Sequence, residues 1–141
     1  MVSNYAARMP STSRLNDAME LSRRGDLYAP DCPSRGVLDH VTSRWGVLVL
    51  VGLLDGSLRF SELRRKVAGV SDKMLSQTIK ALEHDGFIER NAFLEVPVRV
   101  EYTLTPLGRD VADHIAQLTN WIEDHIGDIL EARLQRVRSD R

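Results

Sequence analysis

The chain has 141 residues, is 43% hydrophobic and 28% charged, and carries a formal net charge of −1. This length predicts one domain with a core of its own, and the composition excludes collagen-like, disordered and membrane-embedded proteins. The single cysteine, Cys32, excludes an intramolecular disulfide and a cysteine-based metal cluster. We expect a cytoplasmic protein, because residues 1–31 hold no apolar stretch of signal-peptide length and the longest apolar run, residues 47–54, is too short to span a membrane.

Residues 1–31 are expected to form an N-terminal extension that is partly disordered or a short helix. Residues 1–14 lack periodicity, which favours a loose tail, and residues 14–24 fit a short helix. A linker with two prolines over residues 25–33 then leads into the domain, which we place at residues 32–130, followed by a C-terminal tail at residues 131–141.

Two helices are predicted after the linker. The first has one apolar face, made by Val37, Leu38, Val41 and Trp45. Residues 46–54 are apolar nearly all round, which is typical of a central helix that is covered on every side.

A third and a fourth helix follow a turn signal at Asp55 and Gly56. Apolar residues spaced three and four apart over residues 60–67 predict a two-turn helix. Ser71 is the expected N-cap of the fourth helix, which runs over residues 72–85 and is followed by a glycine.

The periodicity then changes from helix to strand. Residues 87–94 and 98–105 predict two strands of a hairpin, and a long helix is predicted to begin after Pro106 and Gly108. This order predicts an α+β, mostly α fold: a winged helix–turn–helix domain with a β-hairpin wing and a long C-terminal dimerisation helix.

The fourth helix has two contrasting faces. Its core side is predicted to carry Leu75, Thr78, Ile79 and Leu82, and its outer side Lys73, Ser76, Gln77, Lys80 and His84. Cations neutralise phosphates, and amide and hydroxyl groups read base edges in the major groove. We therefore predict that Ser71, Lys73, Ser76, Gln77 and Lys80 contact DNA; the alternative is an ordinary solvated helix face.

Charge is distributed unevenly along the chain. Residues 59–80 hold six basic and two acidic side chains, whereas residues 110–131 hold six acidic side chains and no lysine or arginine. This asymmetry indicates that one end of the molecule contacts nucleic acid.

The predicted wing adds two further DNA-binding candidates, Arg90 and Arg99. An arginine near a hairpin tip can enter the minor groove, where negative potential is concentrated. The alternative for Arg99 is an ion pair with Glu95 or Glu101.

The last helix carries an apolar seam that extends beyond the reach of a small three-helix core. We predict a homodimer, because a single helix–turn–helix rarely provides enough contact with DNA. The predicted interface residues are Ile115, Leu118, Trp121, Ile122 and Ile126. The alternative is that the seam packs on the chain's own core.

Several short motifs occur in order along residues 32–125. They are CP (32–33), W (45), RFSELR (59–64), GVS (69–71), LSQ (75–77), LEHDG (82–86), ER (89–90), VPVRVEY (96–102) and LTPLG (104–108). With them the chain resembles the HxlR-type transcriptional regulators, which are MarR-like winged-helix proteins. The resemblance implies a homodimeric, sequence-specific regulator of an operator in double-stranded DNA, with its recognition helix at residues 71–85 and its wing at residues 87–105.

The resemblance also bears on Cys32, because some members of this family sense quinones, aldehydes or oxidants through a cysteine at the matching position. The start of a helix and a cation at Arg35 favour a reactive thiolate, whereas Asp31 opposes it. The alternative is that Cys32 is a small packed apolar residue.

The sequence leaves two alternative functions open and argues against a third. A regulator could respond to a small aromatic ligand held between Trp45, Tyr102 and Trp121, and a winged helix could bind only proteins. An enzyme is not expected, because the four histidines are scattered and the chain has no phosphate loop, nucleophile elbow or paired zinc-ligand motif. We predict no cofactor, no metal and no membrane contact.

Overall fold

The structure is a computed structural model that describes residues 26–141. The tail predicted for residues 1–14 and the short helix predicted for residues 14–24 lie outside the described residues. Within residues 26–141 there are five α-helices, one 3-10 turn and one two-stranded antiparallel sheet, so the mostly α fold with a hairpin is confirmed. The chain divides into two units at Asp39.

The described part of the first unit is a turn followed by the start of a helix. The N–H of Ala29 donates to the carbonyl of Asp26 (3.0 Å), and the N–H of Cys32 donates to the carbonyl of Ala29 (3.1 Å). Helix α1, Pro33–Thr42, then begins directly after Cys32. The Arg35 guanidinium donates to the carbonyl of Tyr28 (3.4 Å), which ties this turn to α1.

Helix α2, Arg44–Gly52, begins after a break at Ser43. Ser43 has an extended backbone, and its hydroxyl accepts the N–H of Gly46 at 3.1 Å, which caps α2. The sequence placed Trp45 on the apolar face of the first helix; this is wrong, because the cap at Ser43 starts a new helix before Trp45.

Helix α2 lies at the centre of the second unit, where it packs against the helices that follow. Val49 and Leu50 are fully buried, but Leu48 is 42% exposed, so the expectation that α2 is covered on every side is wrong at Leu48. A 3-10 turn, Leu53–Asp55, ends this part of the chain.

Helices α3, Phe60–Lys66, and α4, Asp72–His84, form the helix–turn–helix. Gly69 in the turn between them has φ +95°, a backbone conformation that residues other than glycine rarely adopt. Leu63 of α3 and Leu75 of α4 are fully buried in the same core.

The wing consists of β1, Ile88–Phe93, and β2, Arg99–Leu104, and it confirms the predicted hairpin. Ile88 pairs with Leu104 and Phe93 with Arg99, at the two ends of the ladder. Leu58 adds one antiparallel bridge to Tyr102, with N–H to carbonyl distances of 3.1 and 2.8 Å. The wing is thereby attached to the segment before α3.

Helix α5, Pro106–Ser139, is the longest element. The hydroxyl of Thr105 accepts the N–H of Gly108 at 3.0 Å, and Pro106 occupies the first turn, as is usual at a helix start. The helix includes residues 131–139, which were predicted to form a C-terminal tail. Apolar side chains at Leu130, Leu134 and Val137 extend the helical pattern, and no proline or glycine follows Gly127 to stop it.

Within residues 26–141, no single helix is long and apolar enough to span a membrane. Helix α1 together with the segment Arg44–Asp55 meets this criterion only as a bent pair, by length and composition.

Candidate nucleic-acid interface

Helix α4 has one buried and one exposed face, as its sequence predicts. Leu75, Ile79 and Leu82 are buried in the core. Thr78, also assigned to the core side, is half-buried, and its hydroxyl donates to the carbonyl of Met74 at 2.8 Å. The outer side is exposed at Lys73, Gln77, Lys80 and His84 and half-buried at Ser76. The helix therefore presents a polar, cationic edge to solvent.

Ser71 has a structural role at the start of α4. Its hydroxyl accepts the N–H of Met74 at 3.1 Å, the contact expected of an N-cap. The neighbouring Asp72 pairs with the Nε of Arg64 at 2.8 Å, so α3 and the first turn of α4 are joined by an exposed ion pair. The cap confirms one sequence prediction for Ser71, and a contact between Ser71 and DNA stays a prediction.

The six basic residues of the helix–turn–helix differ in whether their side chains already form ion pairs or hydrogen bonds. Arg64 pairs with Asp72, and the ammonium of Lys66 donates to the carbonyl of Gly52 (3.0 Å) and to Asp55 (3.3 Å). Within residues 26–141, the other four side chains have no hydrogen-bond or ion-pair partner; these are Arg59, Arg65, Lys73 and Lys80. Four cations are therefore available to an external anion.

Arg99 on the wing adopts the alternative that the sequence left open. Its guanidinium lies 3.3 Å from the carboxylate of Glu95, 3.7 Å from that of Glu101 and 4.4 Å from the centre of the Phe93 ring. The side chain is only 30% exposed, so a contact with DNA would have to break this cluster. Arg90 is exposed on β1 and opposite Tyr102.

The tip of the wing is apolar, a feature that sequence reasoning missed. Leu94 and Val96 are almost completely exposed, and Val98 is 62% exposed. The sequence could have indicated this apolar tip, because residues 94–98 include Leu94, Val96 and Val98 and hold no cation.

The seam of α5 is divided between the core and the surface. Ile115 is only 7% exposed and belongs to the chain's own core, so its assignment to a dimer interface is corrected. Ile115 lies in the third turn of α5, which is still alongside the core. The other predicted interface residues are between 41% and 53% exposed; they are Leu118, Trp121, Ile122 and Ile126.

Three further apolar side chains continue this exposed stripe. Leu130, Leu134 and Val137 are 48%, 53% and 58% exposed. Leu134 and Val137 lie beyond residue 130, where the predicted domain ends, and Leu130 is its last residue. Their spacing of four and three residues is nevertheless helical.

Cys32 is buried, with 7% of its surface exposed, and it immediately precedes α1. Its carbonyl accepts the N–H of Arg35 at 3.0 Å, in the first turn of the helix. The burial fits a packed apolar residue, and the position at a helix start fits a reactive thiol.

Comparison with known proteins now identifies the family. The model of the HxlR-like helix-turn-helix family matches residues 40–130, which include all of the helix–turn–helix and the wing. The chain belongs to this family.

Two relatives of this HxlR-like protein are more than half identical to it. The HTH-type transcriptional regulator YtfH of Escherichia coli is 55% identical over 115 residues, which are 82% of this chain and 91% of the relative. The solved structure of the putative transcriptional regulator ytfH from Salmonella typhimurium is 58% identical, with a TM-score of 0.72, and the match covers 76% of this chain and 96% of that one.

A more distant solved structure is a redox regulator, HypR, in its oxidized form. It is 33% identical, with a TM-score of 0.61, and the match covers 66% of this chain and 96% of that one. The family and these relatives show that the protein is a helix–turn–helix transcriptional regulator and not an enzyme.

The aromatic residues considered for ligand binding each pack against other residues of this HxlR-like regulator. Trp45 and Tyr102 are half-buried against the core, and the Trp121 ring stacks on His125 with 4.2 Å between ring centres. Within residues 26–141, no group of three or more histidine, cysteine or acidic side chains is arranged to hold a metal ion. An aromatic effector stays an untested alternative.

Proposed function

We propose that this HxlR-like regulator binds operator DNA in a sequence-specific manner as a homodimer, with α4 in the major groove. The observation that carries the proposal is the exposed edge of Lys73, Gln77 and Lys80, opposite a face of α4 that is buried in the core. A helix held in this way can enter a groove while Leu75, Ile79 and Leu82 stay buried in the core.

The side chains on this edge suit different parts of a duplex. Gln77 can form two hydrogen bonds with an adenine edge, and Ser76 can contact any base. Lys73 and Lys80 can neutralise phosphates or contact guanine. Gln77 is therefore the proposed specificity residue, and the lysines supply most of the affinity.

Dimerisation would place two copies of α4 on successive turns of the duplex, about 34–36 Å apart. The exposed stripe of α5 from Leu118 to Val137 supports this part of the proposal, because monomeric proteins rarely leave so long an apolar stripe in water. A second copy of the same helix would cover it.

A redox response through Cys32 is the second part of the proposal. It is supported by the likeness to a protein named as a redox regulator and by the position of Cys32 at the start of α1. Because the chain has one cysteine, oxidation or alkylation can give only an intersubunit disulfide, a mixed disulfide, or an oxidised or alkylated sulfur. In the cytoplasm the thiol would stay reduced until such a reagent arrives.

Binding of the regulator to the DNA upstream of its own gene tests the proposed recognition helix. Gln77→Ala is expected to lose about 1–3 kcal/mol of discrimination between operator and random DNA, because a bidentate base contact disappears. Lys80→Ala is expected to weaken binding to every sequence and to lower the slope of log affinity against log salt by about 0.9 if it removes one phosphate contact. Fluorescence anisotropy at several salt concentrations measures both effects.

The two variants serve as controls for each other, because Gln77→Ala changes sequence preference and Lys80→Ala changes the salt-dependent part of the affinity. Wild-type affinity of both variants for the operator would contradict the assignment of α4. Failure of the wild-type protein to bind any DNA would favour a winged helix that binds only proteins.

A further inference from the structure

The proposed recognition helix, α4, ends in a long-range contact that its exposed edge does not use. The carboxylate of Asp85, the residue directly after α4, lies 2.6 Å from Nδ1 of His40 in the last turn of α1, and both residues belong to the second unit. The Asp85 side chain is only 10% exposed, and that of His40 is 37% exposed. Among the ion pairs of residues 26–141, this one has the acid that is most shielded from water.

Helix α4 does not by itself favour a carboxylate at this place. The backbone N–H of Asp85 donates to the carbonyl of Ala81 at 3.1 Å, so Asp85 caps the C-terminal end of the helix. That end of a helix carries partial negative charge, which disfavours an anion and favours a cation. Shielding a carboxylate from water also costs free energy unless the carboxylate is hydrogen-bonded. The Asp85 side chain is therefore stabilised by its contact with His40 and not by the helix that it ends.

His40 donates this hydrogen bond, because an ionised carboxylate can only accept. The backbone of His40 is held firmly, since the hydroxyl of Ser43 donates to its carbonyl at 3.0 Å and the neighbouring Val41 is buried in the core. A Cβ atom built on Gly46 would lie 2.1 Å from the same carbonyl oxygen, so α2 passes close to it. The junction of α1 and α2 is thus a fixed point from which His40 holds the end of α4.

The two ends of α4 are held by pairs that differ in their exposure. The first turn is joined to α3 by Arg64 and Asp72, whose side chains are 54% and 66% exposed, and exposed pairs of this kind contribute little. The pair at the C-terminal end is far more shielded. Gln77 lies eight residues before Asp85, about 12 Å along the helix, so a tilt or rotation of this end moves Gln77 relative to a duplex.

Contacts with bases and with phosphates respond differently to such a displacement. A bidentate contact from Gln77 to a base needs two hydrogen bonds at once, each with a donor–acceptor distance of about 2.7–3.2 Å. A lysine acts as a point charge on a flexible stem, so Lys80 can follow a phosphate that has shifted. Loss of the contact between His40 and Asp85 should therefore reduce sequence discrimination more than overall affinity.

We propose that His40 is a positioning residue for the recognition helix. By holding Asp85 at the C-cap of α4, it sets the orientation in which Gln77 reads a base. This inference rests on the proposed function and adds to it a residue that lies outside α3 and α4 and acts on DNA only through them. The specificity of the regulator then depends on the junction of α1 and α2 as well as on the edge of α4.

Fluorescence anisotropy of the full chain on operator and random DNA, at several salt concentrations, tests this role. His40→Ala is expected to lower the ratio of operator to random affinity at least about fivefold, the lower end of what one bidentate base contact provides. The salt slope should stay at the wild-type value, because no phosphate contact is removed. His40→Asn should restore most of the ratio, because its amide nitrogen occupies the place of Nδ1. His40→Phe keeps a ring without the donor and should behave like His40→Ala, so it carries the test if the alanine variant does not fold.

A double-mutant cycle distinguishes positioning of α4 from general damage to the fold. Because His40 is proposed to act through Gln77, His40→Ala should change the affinity ratio little in a Gln77→Ala background. His114→Ala is the matched control and should keep the wild-type ratio, since His114 also faces an aspartate, Asp110 at 3.8 Å, but its side chain is 72% exposed on α5. Equal losses from His40→Ala in both backgrounds, or a wild-type ratio in the folded variant, would overturn the inference and leave the proposed function standing.

Hydrogen exchange in the DNA-free protein tests the contact independently of DNA binding. His40→Ala is expected to speed exchange at least about tenfold at the N–H groups of Asp85, Gly86 and Phe87, which donate to the last carbonyls of α4. Unchanged exchange at these groups would overturn the inference even where α4 binds DNA. A wild-type protein that binds no DNA would overturn the proposed function, and this inference with it.

Discussion

At the scale of single residues, the junction between the wing and α5 depends on Gly108. A Cβ atom built on Gly108 would lie 1.8 Å from the carbonyl oxygen of Phe87, far inside van der Waals contact. The same junction holds two hydrogen bonds, from the Thr105 hydroxyl to the carbonyl of Gly86 (2.6 Å) and from the Thr105 N–H to the carbonyl of Phe87 (3.0 Å). No side chain can therefore be added at Gly108 without moving the backbone of the wing.

Gly108→Ala is expected to destabilise the protein by about 3 kcal/mol, because the clash is with backbone and not with a flexible side chain. Gly127→Ala in the same helix is the control. A Cβ at Gly127 has nothing within 4 Å, so alanine should stabilise the protein by about 0.5–1 kcal/mol. Thermal and urea denaturation measure both changes; equal stability of the two variants would contradict this account of the junction.

Arg99 shows how one side chain can be fixed by its neighbours on a hairpin. Glu95, Glu101 and the Phe93 ring surround its guanidinium, and the Nε atom is buried without a hydrogen-bond partner among residues 26–141. The sequence shows that Glu95 and Glu101 lie near Arg99 along the chain. It does not show whether Arg99 pairs with these acids or contacts DNA. That choice depends on which strand positions face each other, as Phe93 and Arg99 do.

At the scale of elements, α5 has two functions in succession. Its first turns complete the core, where Ala112 and Ile115 are buried. From Leu118 onward the apolar side chains are exposed at one helical side, while Glu123, Asp124 and Asp128 are exposed elsewhere on the helix. Such a helix needs an apolar partner in water, and in the proposed homodimer a second α5 would provide one by symmetry.

Ile122→Gln is expected to raise the dissociation constant of the dimer at least tenfold. Each protomer loses a buried isoleucine contact, and burial of an isoleucine side chain is worth about 1.5–3 kcal/mol. Analytical ultracentrifugation over a range of concentrations measures the shift toward monomer.

The control for this variant is Asp124→Gln, which places the same residue two positions further, on the other side of α5. It should leave the dimer unchanged. A dimer of wild-type stability in Ile122→Gln, or a monomeric wild-type protein, would mean that this stripe is not the interface.

At the scale of the whole molecule, positive and negative charges are concentrated in different segments of a nearly neutral chain. The helix–turn–helix carries an excess of four positive charges over residues 59–80, while residues 110–131 of α5 carry six acidic side chains and no lysine or arginine. The acidic side chains over residues 110–131 repel a duplex there, so this distribution favours DNA binding at the helix–turn–helix over binding at that part of α5.

The proposed redox response also belongs to this scale, because a change at Cys32 would have to act on DNA-binding residues elsewhere in the chain. Treatment with a quinone or diamide is expected to weaken operator binding by the wild-type protein, whereas Cys32→Ser should keep its affinity. Gel-shift assays with and without the reagent measure this. Non-reducing electrophoresis and intact mass then distinguish an intersubunit disulfide from an alkylated sulfur. The same loss of binding in Cys32→Ser and wild type would contradict a sensing role.

The sequence by itself determined the order of the elements and the two faces of α4. Periodic apolar residues, the Ser71 cap and the glycines between elements are local signals, and they act over a few residues. The motifs over residues 32–125 indicated the family, because a motif is defined by the order of its residues along the chain and needs no tertiary structure to be recognised.

Only the tertiary structure decided which side chains remain available. It placed Ile115 in the core, paired Arg64 and Lys66 with acids, enclosed Arg99 on the wing and left Arg65 and the end of α5 exposed. These outcomes depend on contacts between segments that are distant along the chain. A residue's burial and its ion-pair partner are set by such contacts, and helical or strand periodicity does not contain them.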